Sequence, residues 1–358
     1  MTKNRQHGKD IRGFLLQAIQ DHPRDVIKLA SERFGASRQA VHRHLRFLID
    51  AGVVAATGNT RRREYRLLTL KQHRVTVPLA GLAEDVLWRE EVRPLLEGLA
   101  ANVLDLWQYG FTEMVNNAVD HSGGTHLQVA VTRNAVHTQV RISDDGIGIF
   151  RKIQQECRLE DEQHAVLELA KGKLTTDPQR HTGEGIFFAS RMFDQYAIRS
   201  GGVSFSHTIT EVEDWVLERD KPSQGTLVVM ELQNASGRTA KEIFDTYTAT
   251  SEDFGFTKTV VPVRLAKHGQ ENLISRSQAK RLLAHVDRFK VVLLDFTGVD
   301  TIGQAFADEI FRVFVAAHPA VEIVPIHTGP EVVRMIARAR AGASPGTAVG
   351  SASAHESG

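Results

Sequence analysis

The sequence predicts a multidomain chain, part α+β and part α/β, with a small helical head, a mixed helix-and-strand middle and a small α/β end. Three observations predict it. Charge is divided: residues 1–74 hold 16 Lys or Arg against 6 Asp or Glu, leaving 28 against 37 for the rest of the 358 residues, although the formal net charge is only +1. After Ser122 the apolar spacing changes from a helical period to strict alternation. Beyond residue 250, strand-like and helix-like runs alternate, the pattern of helices covering a sheet. The length suits two or three domains, and the divisions fall at 1–74, 85–240 and 250–340. The Gly/Ala/Ser-rich tail over 341–358 is expected to be disordered.

Composition removes several classes. The single cysteine, Cys157, excludes an internal disulfide framework and a cysteine-rich zinc site, and suits a reducing compartment. No run approaches the ~18 apolar residues of a membrane span, and the charged start leads into an amphipathic helix rather than a signal peptide. A cytoplasmic protein without a membrane partner is expected.

In the head, "DIRGFLLQAIQDH" has apolar residues at helical spacing, and a second helix after Pro23 ends on Gly35, a good C-cap. Ser37 then caps a third helix, in which Val41, Leu45 and Leu48 face inward while Arg38, Gln39, His42, Arg43 and Arg46 face outward. "VVAATGNTRRREYRLL" reads as two strands around a turn at Gly58-Asn59, with Arg61, Arg62 and Arg63 at the tip or on the descending strand. Over residues 8 to 70 the segment resembles a winged helix-turn-helix DNA-binding domain. The resemblance implies a partner, DNA, met by Arg38, Gln39, His42 and Arg43 in the major groove and by the three hairpin arginines at phosphates or the minor groove. Winged helices often read paired half-sites, so a homodimer is also expected.

After a linker near 71–84, helical sequence runs to Ser122. Within it, "TEMVNNAVDHS" places Glu113, Asn116, Asn117 and Asp120 on one side of a helix and Met114, Val115, Ala118 and Val119 on the other. Carboxamides beside carboxylates are what a hydrated cation and a polarised water require. Two alternating strands follow, turning at Asn134-Ala135 and ending in Asp144-Asp145-Gly146-Ile147-Gly148. Gly146 and Gly148 let the backbone bend closely around a ligand. "RHTGEGIFFASRMFD" opens a helix with Gly183 and Gly185, whose backbone N–H groups suit an anion, and "GTLVVMEL" is a strand entered through Gly225-Thr226.

Singly each signal is weak; in this order the four resemble the GHKL ATPase superfamily, which includes DNA gyrase, MutL, histidine kinases and the anti-sigma serine kinases. The resemblance implies a two-layer α/β sandwich, the Bergerat fold, and the cofactors ATP and Mg²⁺. It implies that Asn117 binds the metal, that Glu113 orients or deprotonates the attacking water, and that Asp144 accepts the adenine amino group beside Gly146 and Gly148. Gly183 and Gly185 would lie near the phosphates, Thr226 would support Asp144, and residues 150–182 would form the lid, with Lys171, Lys173, Arg180 and His181 placed to meet phosphates. No Gly-x-x-x-x-Gly-Lys-Ser/Thr loop occurs. Residues 85–112 contain no histidine, against a conventional histidine kinase.

Beyond residue 250 the alternating strands and helices resemble a STAS-like domain, the fold of anti-anti-sigma factors, which implies a protein partner. The turn that holds the phosphoacceptor serine in those factors reads Asp300-Thr301-Ile302-Gly303, with Thr301 its only hydroxyl. The composite expectation is an ATP-dependent DNA-binding transcriptional regulator. Its alternatives are a serine/threonine protein kinase acting on a separate partner and a nucleotide-gated scaffold without turnover.

Overall fold

The computed structural model describes residues 2–59, 62–174, 183–208, 215–250, 255–267 and 272–341. Met1–Ala165 with Leu174–Thr246 pack as one compact unit; Val166–Lys173 with the chain from Tyr247 onward pack as a second. Among the described residues no helix is long and apolar enough to cross a membrane.

The first unit begins with α1 (Thr2–Ala18), α2 (Val26–Phe34) and α3 (Arg38–Asp50), followed by the antiparallel hairpin of β1 (Val54–Thr57) and β2 (Glu64–Leu67). The predicted punctuation is present: Gly35 takes a left-handed φ of 60°, and Ser37 Oγ accepts from Ala40 N at 3.2 Å. Ile11, Leu15, Val26, Val41, Leu45 and Tyr65 close a small apolar core between these elements.

A five-stranded antiparallel sheet follows, in the order β3-β4-β5-β7-β6. Its strands are β3 (Lys71–Pro78), β4 (His126–Arg133), β5 (His137–Asp144), β6 (Gln195–Thr208) and β7 (Trp215–Gln233). The stretch expected to be a linker from residue 71 therefore starts as an edge strand, with Lys71 opposite Arg133 and Pro78 opposite His126. Its burial alternates only between half-buried and exposed, so Val75 and Val77 were the sole apolar signal, and the head ends near residue 70. After α4 (Glu84–Leu87) the chain winds through a π turn and a 3-10 turn containing Pro94 before α5 (Ala101–His121) begins, so the long helical run is two segments. α5 buries Trp107, Phe111, Met114 and Val115, while the sheet contributes Leu127, Val129, Val140, Ile142, Ile198 and Met230 to the core. Gly110 is required here because a Cβ would overlap the Phe193 ring.

Three helices continue the order: α6 (Ile149–Cys157), α7 (Glu162–Lys171) and α8 (Gly185–Met192); α9 (Ala240–Thr246) follows the sheet.

The second unit has a three-stranded parallel sheet, β10-β9-β8, made of β8 (Lys258–Pro262), β9 (Val291–Asp295) and β10 (Glu322–Ile326). α10 (Arg276–Leu283) starts at a capping box in which Ser275 and Gln278 satisfy each other's backbone, as its sequence favours. α11 (Gln304–Asp308), a π segment over Glu309–Phe314 and α12 (Val315–Ala317) form the next helical stretch, and α13 (Pro330–Ala341) the last. The tail beyond Ala341 lies outside the described residues.

Candidate functional site

α5 carries Glu113 and Asn117 one turn apart because Met114, Val115 and Ala118 between and after them are buried in the core. Gly185, first residue of α8, lies directly against Glu113: a Cβ there would overlap Oε2 of the carboxylate. One turn before Glu113, the Tyr109 hydroxyl is pushed well above its ordinary value, first by burial and then by the negative charges of Glu113 and Glu184. Tyr109 therefore stays a neutral donor. The Nδ2 of Asn117 is buried without a hydrogen-bond partner among the described residues, which costs about 1–3 kcal/mol unless something polar completes it.

The end of β5 forms a second knot. Asp144 Oδ1 accepts from Gly146 N at 2.9 Å and from Thr226 N at 3.3 Å, while Thr226 Oγ1 accepts from Ile149 N at 3.0 Å. The other Asp144 oxygen takes none of these bonds. Burial raises the Asp144 carboxyl above the usual carboxylate range, and the two backbone donors pull it partly back. Gly148 at φ 91° and Gly225 at φ 70° are both in the left-handed region, and a Cβ would meet Ser200 Oγ in the first case and the Asp144 carbonyl in the second. At Gly146 a Cβ would overlap the Ser122 carbonyl. Glycine is thus needed for close approach as well as for conformation.

Asp145, which the sequence reading did not single out, has a different task. Its Oδ1 accepts from Thr125 N at 2.6 Å and His126 N at 3.0 Å, and its Oδ2 from Thr125 Oγ1 at 2.7 Å. These bonds, the Thr125 hydroxyl foremost, hold its carboxyl far below the usual range. Asp145 ties the loop after α5 to the glycine turn; the signal for it was only its place beside Asp144.

Beside this turn lies a cavity of about 890 Å³ lined in part by Gly146, Ile147, Arg151, Gln155, Glu162 and Gly201, within the ~300–1,000 Å³ usual for ligand pockets. Glu162 accepts from Gly202 N at 3.3 Å.

The predicted residues thus fall into groups. Asp144, Gly146, Gly148 and Thr226 are joined by contacts, and Glu113 meets Gly185. Gly183, at φ 73°, packs on the backbone of Leu174. Lys173 lies apart from them: its Nζ donates to the Arg288 carbonyl at 3.1 Å and lies over the rings of Phe289 (4.7 Å) and Phe256 (5.6 Å), all in the second unit. The aromatic pair and the carbonyl satisfy an ammonium that the sequence alone left open for phosphate. Lys171 is likewise buried in the second unit, while Arg180 and His181 lie outside the described residues.

Among the described residues no group of three His, Cys, Asp or Glu stands ready for a metal. A cation held by the Oδ1 of Asn117 would take its remaining ligands from a bound anion and water, and the orphaned Nδ2, a donor, suits an oxygen of that anion.

Residues 103–236 match the family model for the histidine kinase-, DNA gyrase B-, and HSP90-like ATPases. That span includes every residue of both knots. Residues 278–333 match the model of a STAS-like domain of unknown function. The chain therefore carries a GHKL-type ATPase domain and a C-terminal STAS-like domain. The first implies ATP binding with ATPase or kinase chemistry. No curated protein matches the chain.

Proposed function

We propose that this protein is an ATP-dependent DNA-binding regulator in which Mg-ATP, bound and hydrolysed by the GHKL-type domain, resets the STAS-like domain through the lid. The carrying observation is where the lid belongs. Val166–Lys173 lies in the chain between the Gly146–Gly148 turn and Gly183 yet packs as part of the second unit, whereas Ala165 and Leu174 on either side belong to the first. Lys171, 1 % exposed, donates to Glu168 Oε1 at 2.6 Å and to the carbonyls of Arg281 and Ala284 at 2.9 Å each. Thr259 Oγ1 donates to the Lys171 carbonyl at 2.6 Å, and His285 Nδ1 pairs with Glu168 Oε2 at 2.9 Å.

In this reading the other oxygen of Asp144 accepts the adenine amino group, while Gly146 N and Ile149 N hold Asp144 and Thr226 in place. Asn117 contributes its amide oxygen to Mg²⁺, which supplies charge neutralisation at the phosphates. Glu113 takes a proton from the attacking water, with Tyr109 one turn away as a neutral donor. Any rearrangement of the lid then acts on residues that are built into the STAS-like unit.

The head supports the DNA part of the proposal. Arg38, Gln39, His42 and Arg43 are all exposed on α3, and Arg62 and Arg63 are exposed beside β2; Arg61 lies outside the described residues. Specificity and the homodimer expected for paired half-sites belong to the same proposal. The STAS-like domain is offered as the docking element for a protein partner. Its Thr301 is exposed and precedes Ile302, which bridges to Leu273.

The test is the fate of γ-labelled phosphate when purified protein and Glu113→Ala are incubated with Mg²⁺ and ATP. Free phosphate that depends on Glu113 supports the switch. Label transferred to Thr301 or to another protein would replace it with the serine/threonine kinase, and label retained on bound ATP with a scaffold.

A further inference from the structure

We propose that the outer face of the five-stranded sheet is a second anion site, built for a linear phosphate chain of two or more phosphoryl groups. Strand alternation sends Leu127, Val129, Val140 and Ile142 into the core, which leaves Gln128, Ala130, Arg141 and Ser143 on the opposite face. Register then sets three arginines on that face. Arg74 lies opposite Ala130, which lies opposite Arg141; Arg199 lies opposite Leu227, which lies opposite Ser143, one step along the strands. With strands ~4.8 Å apart, the Arg74 and Arg141 backbones stand about 10 Å apart, within reach of one extended anion.

All three arginines line a single cavity of about 350 Å³ together with Gln128, Ser143 and Ser223. Each is exposed, and none has an ion pair or side-chain hydrogen bond among the described residues. Among the described residues, Asp144 also lines the cavity and its Oδ1 accepts from Gly146 N and Thr226 N, while Glu231 Oε2 accepts from Gln139 Nε2 at 3.0 Å. Three unpaired like charges gathered on one sheet face disfavour folding slightly, so they mark a use rather than a scaffold need.

The lining selects the ligand. Guanidinium forks grip phosphoryl oxygens in bidentate fashion, and the serine hydroxyls and glutamine amide add donors. Among the described residues no aromatic side chain lines the cavity, so none of them offers a base a ring to stack on. Ser143 adjoins Asp144 and Leu227 adjoins Thr226, so an anion here touches the same strand ends that hold the adenine-facing carboxylate. The site stands without the nucleotide reading, since none of its arginines belongs to that site.

The experiment is calorimetric titration of the full chain with sodium tripolyphosphate at fixed ionic strength and without added Mg²⁺, with Arg141→Gln, Arg141→Lys and the triple Arg74→Gln/Arg141→Gln/Arg199→Gln variant alongside. Wild type binds; Arg141→Gln weakens binding about tenfold, Arg141→Lys less, and the triple variant abolishes it, because a charge-assisted bidentate contact is lost each time. Absence of binding by wild type, or binding unchanged in the triple variant, would overturn the proposal. So would arginine-dependent capture of a poly-glutamate peptide with no response to tripolyphosphate, which would make the face a dock for an acidic protein. Arg141→Lys keeps the charge and side-chain length, so it tests the fork even if the triple variant misfolds.

Discussion

Asp144 is a carboxylate whose surroundings favour its neutral form, yet whose proposed task is to accept a hydrogen bond. Burial raises its pKa above the unfolded value, so its contribution to stability is greatest at acid pH and declines as pH rises through the raised value. Asp144→Asn keeps an oxygen for Gly146 N and Thr226 N, removes the desolvated charge and turns an NH₂ toward the adenine amino group. The expected result is a melting temperature at neutral pH equal to or above wild type, loss of that part of the pH slope, and ATP affinity lowered by about tenfold or more, the worth of one good hydrogen bond to a charged group. Differential scanning fluorimetry across pH, with and without Mg-ATP, reads all three. A lower melting temperature with unchanged ATP affinity would refute the assignment. Gly185→Ala probes the other knot: the added Cβ must displace the Glu113 carboxylate, and an overpacked contact of this kind costs about 1–3 kcal/mol. Phosphate release should fall with it while ATP binding, centred on Asp144, persists; loss of both in equal measure would place Gly185 in the binding of adenine.

Within the elements, the buried Lys171–Glu168 pair decides how firmly α7 is held. Burial lowers the Lys171 pKa and Glu168 opposes that shift, so the ammonium is kept by its partner. Lys171→Met removes the ammonium from the buried Glu168 and should cost about 3–5 kcal/mol, whereas Lys171→Met with Glu168→Leu should recover most of that loss. Denaturant unfolding of the two variants checks this, and equal destabilisation in both would show that the carbonyls of Arg281 and Ala284, rather than the charge pair, set the cost. No sequence pattern announced this pairing. Lys171 reads in the sequence as a lid lysine placed to meet phosphates, and only a segment more than a hundred residues away makes it interior. Legibility in the sequence followed the range of the interactions. The helices of the head, the caps at Gly35 and Ser37 and the parallel strands of the second unit are specified by neighbours in the chain. The knot of Asp144, Gly146, Gly148 and Thr226 was readable only through the order of four segments that are each weak alone. β3 and β6 were not, since an edge strand alternates weakly and β6 is interrupted at Ser200–Gly202 by irregular register. The surroundings of Lys173 were no more legible than those of Lys171, because a lid lysine looks alike whether it meets phosphate or an aromatic pair.

For the molecule as a whole, the division of charge becomes a measurable division of labour. If the basic head grips DNA mainly through phosphates, affinity falls linearly with the logarithm of salt, and each phosphate-contacting arginine contributes a slope of about 0.9. Arg38→Ala and Arg43→Ala, both exposed on α3, should each lower that slope by about one or, where the side chain reads a base, leave the slope and weaken binding selectively. If, as proposed, nucleotide acts elsewhere, through the lid, Mg-ATP should move the affinity at every salt concentration while leaving the slope unchanged. Fluorescence anisotropy with a labelled duplex over a salt series, in wild type and Asp144→Asn, separates the two quantities. The ATP-dependent displacement should vanish in Asp144→Asn with the slope intact. An ATP effect that survives this substitution, or one that changes the slope, would mean that nucleotide competes directly for the basic head instead of acting at the GHKL-type domain.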